Sequence, residues 1–567
     1  MNNLNEIFES QKNKLRDKSL FWHKENGNWV SISWNEAGRQ INILSEFLKK
    51  IEINKGDRVS LISKNSPFWC ISDLAIMKIG AITVPAYTTS NENELLYLLN
   101  HSESKLALLD EEAYLKIKKI KKKLIFTKKF ILLENFKSTE NKSFFIYHKD
   151  ILNKKIVTHS QKLNIDYKIS KNDTACIIYT SGTSANPKGV MLSHNSIKSN
   201  IEGAKIYLDD IKINNHKFLS ILPLSHAYER TGGFLLPIYI GGEIYFSNNR
   251  DQLLNDLQFV NPTLMVAVPR LYDVLLKKIS NSIKSKNKII KYLFEKNLIL
   301  GNKKYKNESL NVKDKFLDFI IDLTIRKKIK KIFGKNLMAF VSGGAALKQN
   351  AAIFFFSMGI KILQGYGQTE YSPIISITPF NNIKLDKVGK AIHLTEIKLS
   401  KDKEILVRGK SLMQGYWKDK KSTDKTIING WLHTGDLGLF DDENYLKILG
   451  RKNEMIVNSG GENIAPAPLE DLFLSYDEID QIMIYGHEKP YLVALVYPSE
   501  EIKENKKLVR KIFDEVNNNL SLTKKIRKFY LIKNPFSIES SELTPTLKIK
   551  RRIVEKNYHK ELQSLYK

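Results

Sequence analysis

This chain has little cysteine, a deficit of acid and no long apolar run, and each shortage narrows what it can be. Only Cys70 and Cys176 occur in 567 residues. Both sit in apolar runs, which reads as two buried core thiols rather than a disulfide framework or a metal pair. Such usage fits a reducing cytoplasm. The longest apolar runs, such as 234–240, fall well short of the ~20 residues that span a bilayer. The polar stretch 1–19 has no signal-peptide core. These absences predict a cytoplasmic protein, either free in solution or peripheral on the inner face of the membrane. Acid is scarce: 61 Asp and Glu stand against 90 Lys and Arg, a net charge of +29. Nucleic acid is a poor explanation, because zinc-finger spacing, an RNP-like aromatic motif and a helix-turn-helix pattern are all missing. Two accounts of the charge stay open: a lysine-rich composition without functional meaning, or attraction to anionic ligands and acidic lipid head groups.

A chain of this length exceeds one compact core, so two or more domains are expected. With 42% hydrophobic and 27% charged residues, the composition is that of a globular protein. Apolar β-rich runs at 59–62, 82–85, 174–179, 218–222, 264–268 and 338–341 alternate with helical patterns, which predicts a largely parallel α/β core. From about 388 to 450 the texture changes to short strands and turns, including 404–408 and 445–448. A small β-rich subdomain is expected there. The last segment, 451–567, has an α+β mixture of its own and an ordinary small-domain size. The expected domains are therefore 1–450 and 451–567. The Lys- and Asn-rich stretch 281–315 reads as a helical insertion or a mobile loop. Basic runs at 116–129, 277–291 and 326–335 interleave lysine with Ile, Leu or Phe at helical spacing. The ordinary account is a solvated amphipathic face; the alternative is docking on a membrane surface.

The most informative stretch runs from Tyr179 to Gly189: Tyr-Thr-Ser-Gly-Thr-Ser-Ala-Asn-Pro-Lys-Gly. It lies between a strand-like run and the helix-like run 195–207. Its hydroxyls, glycines and single lysine suit a polyphosphate: Thr180, Ser181, Gly182 and Thr183 offer O–H and N–H donors, and Lys188 a point charge. The spacing is not that of a Walker A loop, since Pro187 precedes the lysine and Gly189 follows it. Further on, Gln364-Gly365-Tyr366-Gly367-Gln368-Thr369-Glu370 offers a flat aromatic face for a purine and, in Glu370, a hard oxygen ligand for Mg²⁺. In Trp431 to Gly438, Asp436 lies between Gly435 and Leu437, and its carboxylate suits ribose hydroxyls. Arg451 presents a fork of donors for ribose or phosphate oxygens. Ser342-Gly343-Gly344-Ala345 follows an apolar strand, where glycines admit a ligand close to the backbone.

Taken in order, these motifs resemble the adenylate-forming superfamily, and within it the long-chain fatty acid–CoA ligases, over roughly residues 20 to 560. Leu222-Pro-Leu-Ser-His226-Ala-Tyr-Glu-Arg230, Val268-Pro-Arg-Leu-Tyr272 and Leu543-Thr-Pro-Thr-Leu-Lys548-Ile-Lys-Arg-Arg552 match that subgroup. The resemblance implies a large α/β AMP-binding domain with a small, mobile α+β C-terminal domain. It implies ATP and CoA as co-substrates, Mg²⁺ as cofactor and a long-chain fatty acid as substrate. It assigns catalytic work to Lys188, Glu370, Lys548 and His226, and nucleotide contacts also to Gly344, Ala345, Gln364, Gly365, Gly367 and Thr369. It places the metal on Glu370 and Thr183, the pantetheine channel at Gly460 and Gly461, and the hinge at Glu454. Two departures stand out: Ala185 occupies a usual glycine and Glu454 a usual aspartate. Two rival readings remain, a ligase that loads an acyl carrier protein and a basic surface-binding protein without catalysis.

Overall fold

The computed structural model describes residues 3–133, 145–153, 168–180, 187–209, 215–247, 250–459, 462–502, 505–544 and 548–567. Among them the chain divides into two compact units. The first takes the residues up to 396 together with 407–432; the second takes 397–406 and 433–567. The expected boundary at 450/451 thus falls inside the second unit.

The first unit is built on two large sheets. One has eight strands, in the order Gly415–Tyr416, Lys188–Ser193, Thr174–Thr180, Ile82–Pro85, Arg58–Ile62, Ser104–Leu109, Lys129–Leu132 and Phe145–Tyr147. The other has nine: Lys390–Ala391, Ile374–Ile377, Lys361–Gly367, Ala339–Ser342, Leu264–Ala267, Lys217–Ser220, Glu243–Phe246, Ser19–Glu25 and Asn28–Ser33. The central strands are parallel and buried on both faces, as continuous Val/Ile/Leu runs require. Helix Pro67–Lys78 is buried along most of its length and wholly interior at Trp69, Cys70, Leu74 and Met77. Cys70 and Cys176 are buried free thiols. The stretch 281–315 is helical, carried by Pro269–Lys284, Lys288–Tyr305 and the start of Val312–Ile321.

Two sequence expectations change. The loop after Thr180 does not lead into a helix. A strand, Lys188–Ser193, intervenes and pairs antiparallel with Thr174–Thr180, Thr180 opposite Lys188. The short strands after 388 also do not all build one subdomain: Lys390–Ala391 extends the nine-stranded sheet and Gly415–Tyr416 the eight-stranded one.

In the second unit, Ile479–Tyr485, Leu492–Pro498 and Ile526–Leu531 form a three-stranded sheet. Alternation sends Ile482, Ile484, Ala494 and Val496 to one core and Met483, Val493, Leu495 and Tyr497 to the other. The amphipathic helix Lys506–Asn518 covers the first face through Val509, Ile512 and Phe513. The C-terminal segment covers the second through Val554 and Leu562.

Candidate active site

In the first unit the paired strands Thr174–Thr180 and Lys188–Ser193 flank the candidate phosphate-loop sequence. Ser181, Gly182 and Thr183 lie outside the described residues; Thr180 and Lys188 flank them. Gly189 is required by packing, since a Cβ there would meet Ile177 at 2.8 Å and Trp417 at 3.3 Å. The Lys188 ammonium donates to Ser422 Oγ at 2.7 Å and sits 4.9 Å from the ring centre of Tyr416. Tyr416 in turn donates its hydroxyl to Glu370 Oε1 at 2.9 Å. Burial, with the Glu370 charge beside it, pushes the Tyr416 phenol well above its ordinary value, so the hydroxyl remains a donor. A single aromatic ring therefore couples the candidate phosphate lysine to the candidate metal carboxylate. Strand Gly415–Tyr416 makes this possible by pairing with Val190 and Met191.

The Glu370 turn is fixed from beneath. Asn200, fully buried, donates to Tyr371 O at 3.0 Å and Ile374 O at 2.8 Å and accepts from Ile374 N. Thr231 Oγ1 donates to Ser372 O at 3.1 Å. Before the turn, Gln364 is anchored rather than open: its side-chain amide donates to Leu385 O, and its backbone carbonyl accepts from Thr378 N and Oγ1. Gly365 begins the antiparallel pairing with Ile374–Ile377. At Gly367 a Cβ would strike Pro373 O at 2.1 Å. Tyr366 is half-buried, with Gln368 Nε2 3.4 Å from its hydroxyl, and Thr369 opens the short turn that carries Glu370.

Among the described residues, no cluster of three or more His, Cys, Asp or Glu side chains could hold a metal. Magnesium does not need one, because one or two carboxylates plus phosphate oxygens suffice. Glu370 meets that requirement: it is partly exposed and only its Oε1 is engaged among the described residues.

The parallel strands Lys217–Ser220, Leu264–Ala267, Ala339–Ser342 and Lys361–Gly367 end at one edge of their sheet, the edge where α/β sheets bind ligands. His226 and Gly343–Ala345 follow two of those ends. The Tyr228 hydroxyl bonds Val341 O at 2.9 Å, and its ring lies so close to Gly343 that a Cβ would sit 2.9 Å from it. Gly344 has φ +82° and is exposed, as is Ala345. His226 is half-buried and its Nδ1 accepts from Tyr228 N at 3.2 Å. Arg230, from the same motif, is interior: it forms a buried ion pair with Asp73 at 2.8 Å and touches Cys176 Sγ.

Glu229, which sequence reasoning passed over, is also fully buried. Ser220 Oγ donates to its Oε1 at 2.6 Å, and its Oε2 has no hydrogen-bond partner among the described residues. Burial pushes its carboxyl up to about 8. It immediately precedes a wide π-helical turn, Arg230–Leu235, a distortion that recurs near functional sites.

In the second unit four residues from separate motifs converge. Strands Trp431–Phe440 and Leu446–Arg451 place Asp436 opposite Arg451, and Arg451 Nε lies 2.9 Å from the buried Asp436 Oδ1. Thr434 fixes that strand by donating to Ile405 O at 2.7 Å and accepting from Asp436 N. Lys548 follows a tight crossing in which Thr544 N bonds Lys548 O at 2.8 Å and Leu543 pairs with Ile549. The Lys548 amine is held below the ordinary lysine value. Surrounding protein is the main cause and Arg451 adds to it, while Asp436 and Glu454 pull the other way. By surface area the residue is still exposed to water. Arg551, unremarked among its basic neighbours, ties this segment down. It bonds Ile484 O at 3.2 Å, pairs with Glu470, and approaches Glu454 at 3.7 Å. Gly460 and Gly461 lie outside the described residues.

Comparison with known proteins gives the family. Residues 8–417 match the family described as AMP-binding enzyme, and 453–567 match the AMP-binding enzyme C-terminal domain. A long-chain-fatty-acid–CoA ligase, FadD15, of Mycobacterium bovis is 27% identical, covering 99% of this chain and 96% of that protein. The chloroplastic long-chain-fatty-acid–[acyl-carrier-protein] ligase AEE15 of Arabidopsis thaliana is also 27% identical, covering 99% of this chain and 86% of that one. Among solved structures, the anthranilate CoA ligase AuaEII in complex with anthranoyl-AMP superposes with a TM-score of 0.77 at 18% identity, over 99% of this chain and 98% of that one. The chain belongs to the AMP-binding enzymes, the adenylate-forming family, with its large α/β domain followed by a C-terminal domain.

Proposed function

We propose that this acyl-adenylate-forming ligase activates a long-chain fatty acid and passes it to CoA. The fatty carboxylate attacks the α-phosphate of ATP and pyrophosphate leaves. The CoA thiolate then attacks the acyl carbonyl and AMP leaves, giving the thioester. The observation that carries this reading is the Lys188–Tyr416–Glu370 chain, whose lysine ends the hydroxyl-rich sequence that starts at Thr180. It offers a cation and a carboxylate in fixed relation, and phosphoryl chemistry is governed by positioning and preset charge.

In this reading Lys188 and Lys548 supply point charges where phosphate charge grows, and Thr180, Ser181 and Thr183 supply donors. Tyr366 stacks on the purine; Gly344, Ala345, Gln364, Gly365, Gly367 and Thr369 shape the nucleotide wall; Asp436 and Arg451 hold the ribose. Glu370 and Thr183 would hold Mg²⁺, which neutralises phosphate charge when bound. His226 borders the acyl site. A hinge at Glu454 would let the C-terminal residues 451–567 serve both steps.

CoA as acceptor is supported by the names of relatives such as FadD15. The acyl-carrier-protein ligase at equal identity supports the second reading, in which the acyl group goes to a carrier protein. The test is AMP release by the purified chain over a panel of fatty acids from short to very long, with product mass read with and without CoA. Long-chain acyl-CoA is expected. Acyl-adenylate that accumulates whether or not CoA is present would favour the carrier protein, and no AMP release with any acid would defeat the proposal.

A further inference from the structure

Helix Val312–Ile321 runs through a wide turn at Asp322–Arg326 into Lys327–Ile332, and it carries a stripe of large apolar residues on its exposed side. Asp314, Asp318 and Arg326 pair within the protein, whereas Lys313, Lys315, Asp322, Lys327, Lys328 and Lys330 are exposed. Asp314 pairs with Lys303 at 2.9 Å, and Asp318 pairs with Lys304 at 2.5 Å and with Arg326 at 2.7 Å. Ile321, Ile325 and Ile329 are buried on the inner side. Outward stand Val312 (83% exposed), Phe316 (67%), Phe319 (61%) and Leu323 (56%). Their spacing of four, three and four residues puts them on one stripe. The neighbouring helix Lys288–Tyr305 exposes Ile289, Tyr292 and Ile299 as well.

Beside Leu323 lies a groove of about 520 Å³ lined by Asp322, Leu323, Lys327, Lys330, Lys331 and Lys335. Asp322 is 3.7 Å from Arg326, while the four lysines have no ion-pair partner among the described residues. A helix selected only for solubility would put lysines, not two phenylalanines, on its outermost stripe.

We infer that this helix is a docking surface for an anionic lipid bilayer. Phe316, Phe319 and Leu323 enter the acyl boundary while Lys327, Lys330, Lys331 and Lys335 meet head-group phosphates. Charge decides among the possible occupants. A second copy of this chain would bring the same lysines face to face on a molecule of net charge +29. A soluble polyanion would leave the apolar stripe in water. Only a bilayer offers phosphate and hydrocarbon side by side. The inference rests on exposure and charge and is independent of the reaction proposed above.

The test is co-sedimentation of the full chain with vesicles of phosphatidylcholine alone or mixed with phosphatidylglycerol, at low and high salt. Binding is expected only to the mixed vesicles and falls with salt. Phe316→Ser with Phe319→Ser weakens it about tenfold or more, from the apolar area withdrawn. Lys327→Glu with Lys330→Glu does the same through charge, also by about tenfold or more. As a readout that needs no loss of function, Phe319→Cys carrying a polarity-sensitive fluorophore shifts to the blue on mixed vesicles; both native cysteines are buried. The inference is overturned by no binding at low salt, by binding that ignores the phenylalanine changes, by a fluorophore that stays in water, or by lipid-free self-association that the phenylalanine changes abolish.

Discussion

Replacing Glu229 by glutamine gives a sharp test of the buried carboxyl three residues after His226. Its ordinary value is 4.5 and burial moves it to about 8. Below about 4.5 the group is neutral in folded and unfolded chains alike. Between about 4.5 and 8 only the unfolded chain ionises, so folding takes up a proton and stability falls as pH rises. Above 8 both states are ionised and the dependence ends. The slope is about 1.4 kcal/mol per pH unit, so from about pH 5 to about pH 7.5 the wild type loses on the order of 3 kcal/mol that the glutamine variant keeps. Glutamine can still accept from Ser220 Oγ, so the one hydrogen bond is retained. Asp73, Arg230, Cys70 and Tyr228, the ionisable neighbours, are common to both proteins and cancel in the difference. Tryptophan fluorescence isolates the relevant unit, because all six tryptophans fall in the first one. Urea unfolding followed by that signal should show the variant gaining on the wild type as pH rises, with turnover near neutrality retained because the native carboxyl is already mostly protonated there. A stability difference that is flat with pH, or that runs the other way, refutes the reasoning.

Lys548→Ala is expected to slow adenylation by ~10²-fold or more while sparing thioester formation from supplied acyl-adenylate, since its charge is needed only where phosphate charge develops; equal loss in both half-reactions, followed by stopped-flow, removes the assignment. Glu370→Gln raises the Mg²⁺ needed for half-maximal turnover without lowering the melting temperature, because an amide is a poor ligand for a hard dication; wild-type rates at limiting Mg²⁺ show the ligand is elsewhere. Tyr416→Phe keeps the ring under Lys188 but deletes the hydrogen bond to Glu370. A bond to a charged group is worth ~1.5–3 kcal/mol at most, so steady-state kinetics in ATP should show a loss of about tenfold in kcat/KM; unchanged kinetics would mean the contact is incidental.

The parallel strands were legible because strands buried on both faces must be apolar runs, and 82–85, 174–179 and 264–268 are such runs. The strand Lys188–Ser193 was missed because a short run after a glycine-rich loop reads equally well as the approach to a helix. What defines it is pairing on both sides, with residues near in sequence at 174–180 and far away at 415–416. Tyr416, Asn200 and Arg551 escaped notice for the same reason: each acts through partners remote in the chain, and a tyrosine, an asparagine and one more arginine carry no local pattern. Asp436 is legible as a ribose ligand and Arg451 as a partner of ribose or phosphate oxygens, but their mutual ion pair depends on the register of a hairpin. Arg230 stood in a recognisable motif, yet its partner, Asp73, lies 157 residues earlier.

The pairing of Gly415–Tyr416 with Val190 and Met191 also constrains how this protein is made. While the ribosome is still short of residue 417, the strand that begins at Lys188 has a neighbour on one side only. Its other edge, with unpaired N–H and C=O groups between apolar side chains, is open to strand addition by any other chain. More than two hundred residues must be synthesised before the edge can be sealed, and domains fold as they emerge. A fragment ending shortly before Gly415 should therefore aggregate, whereas one extended just past Trp417 should not. The residue that sits beneath Lys188 in the finished site thus arrives with the segment that closes the sheet, so the nascent enzyme acquires its candidate phosphate-binding geometry and its protection from misassembly together.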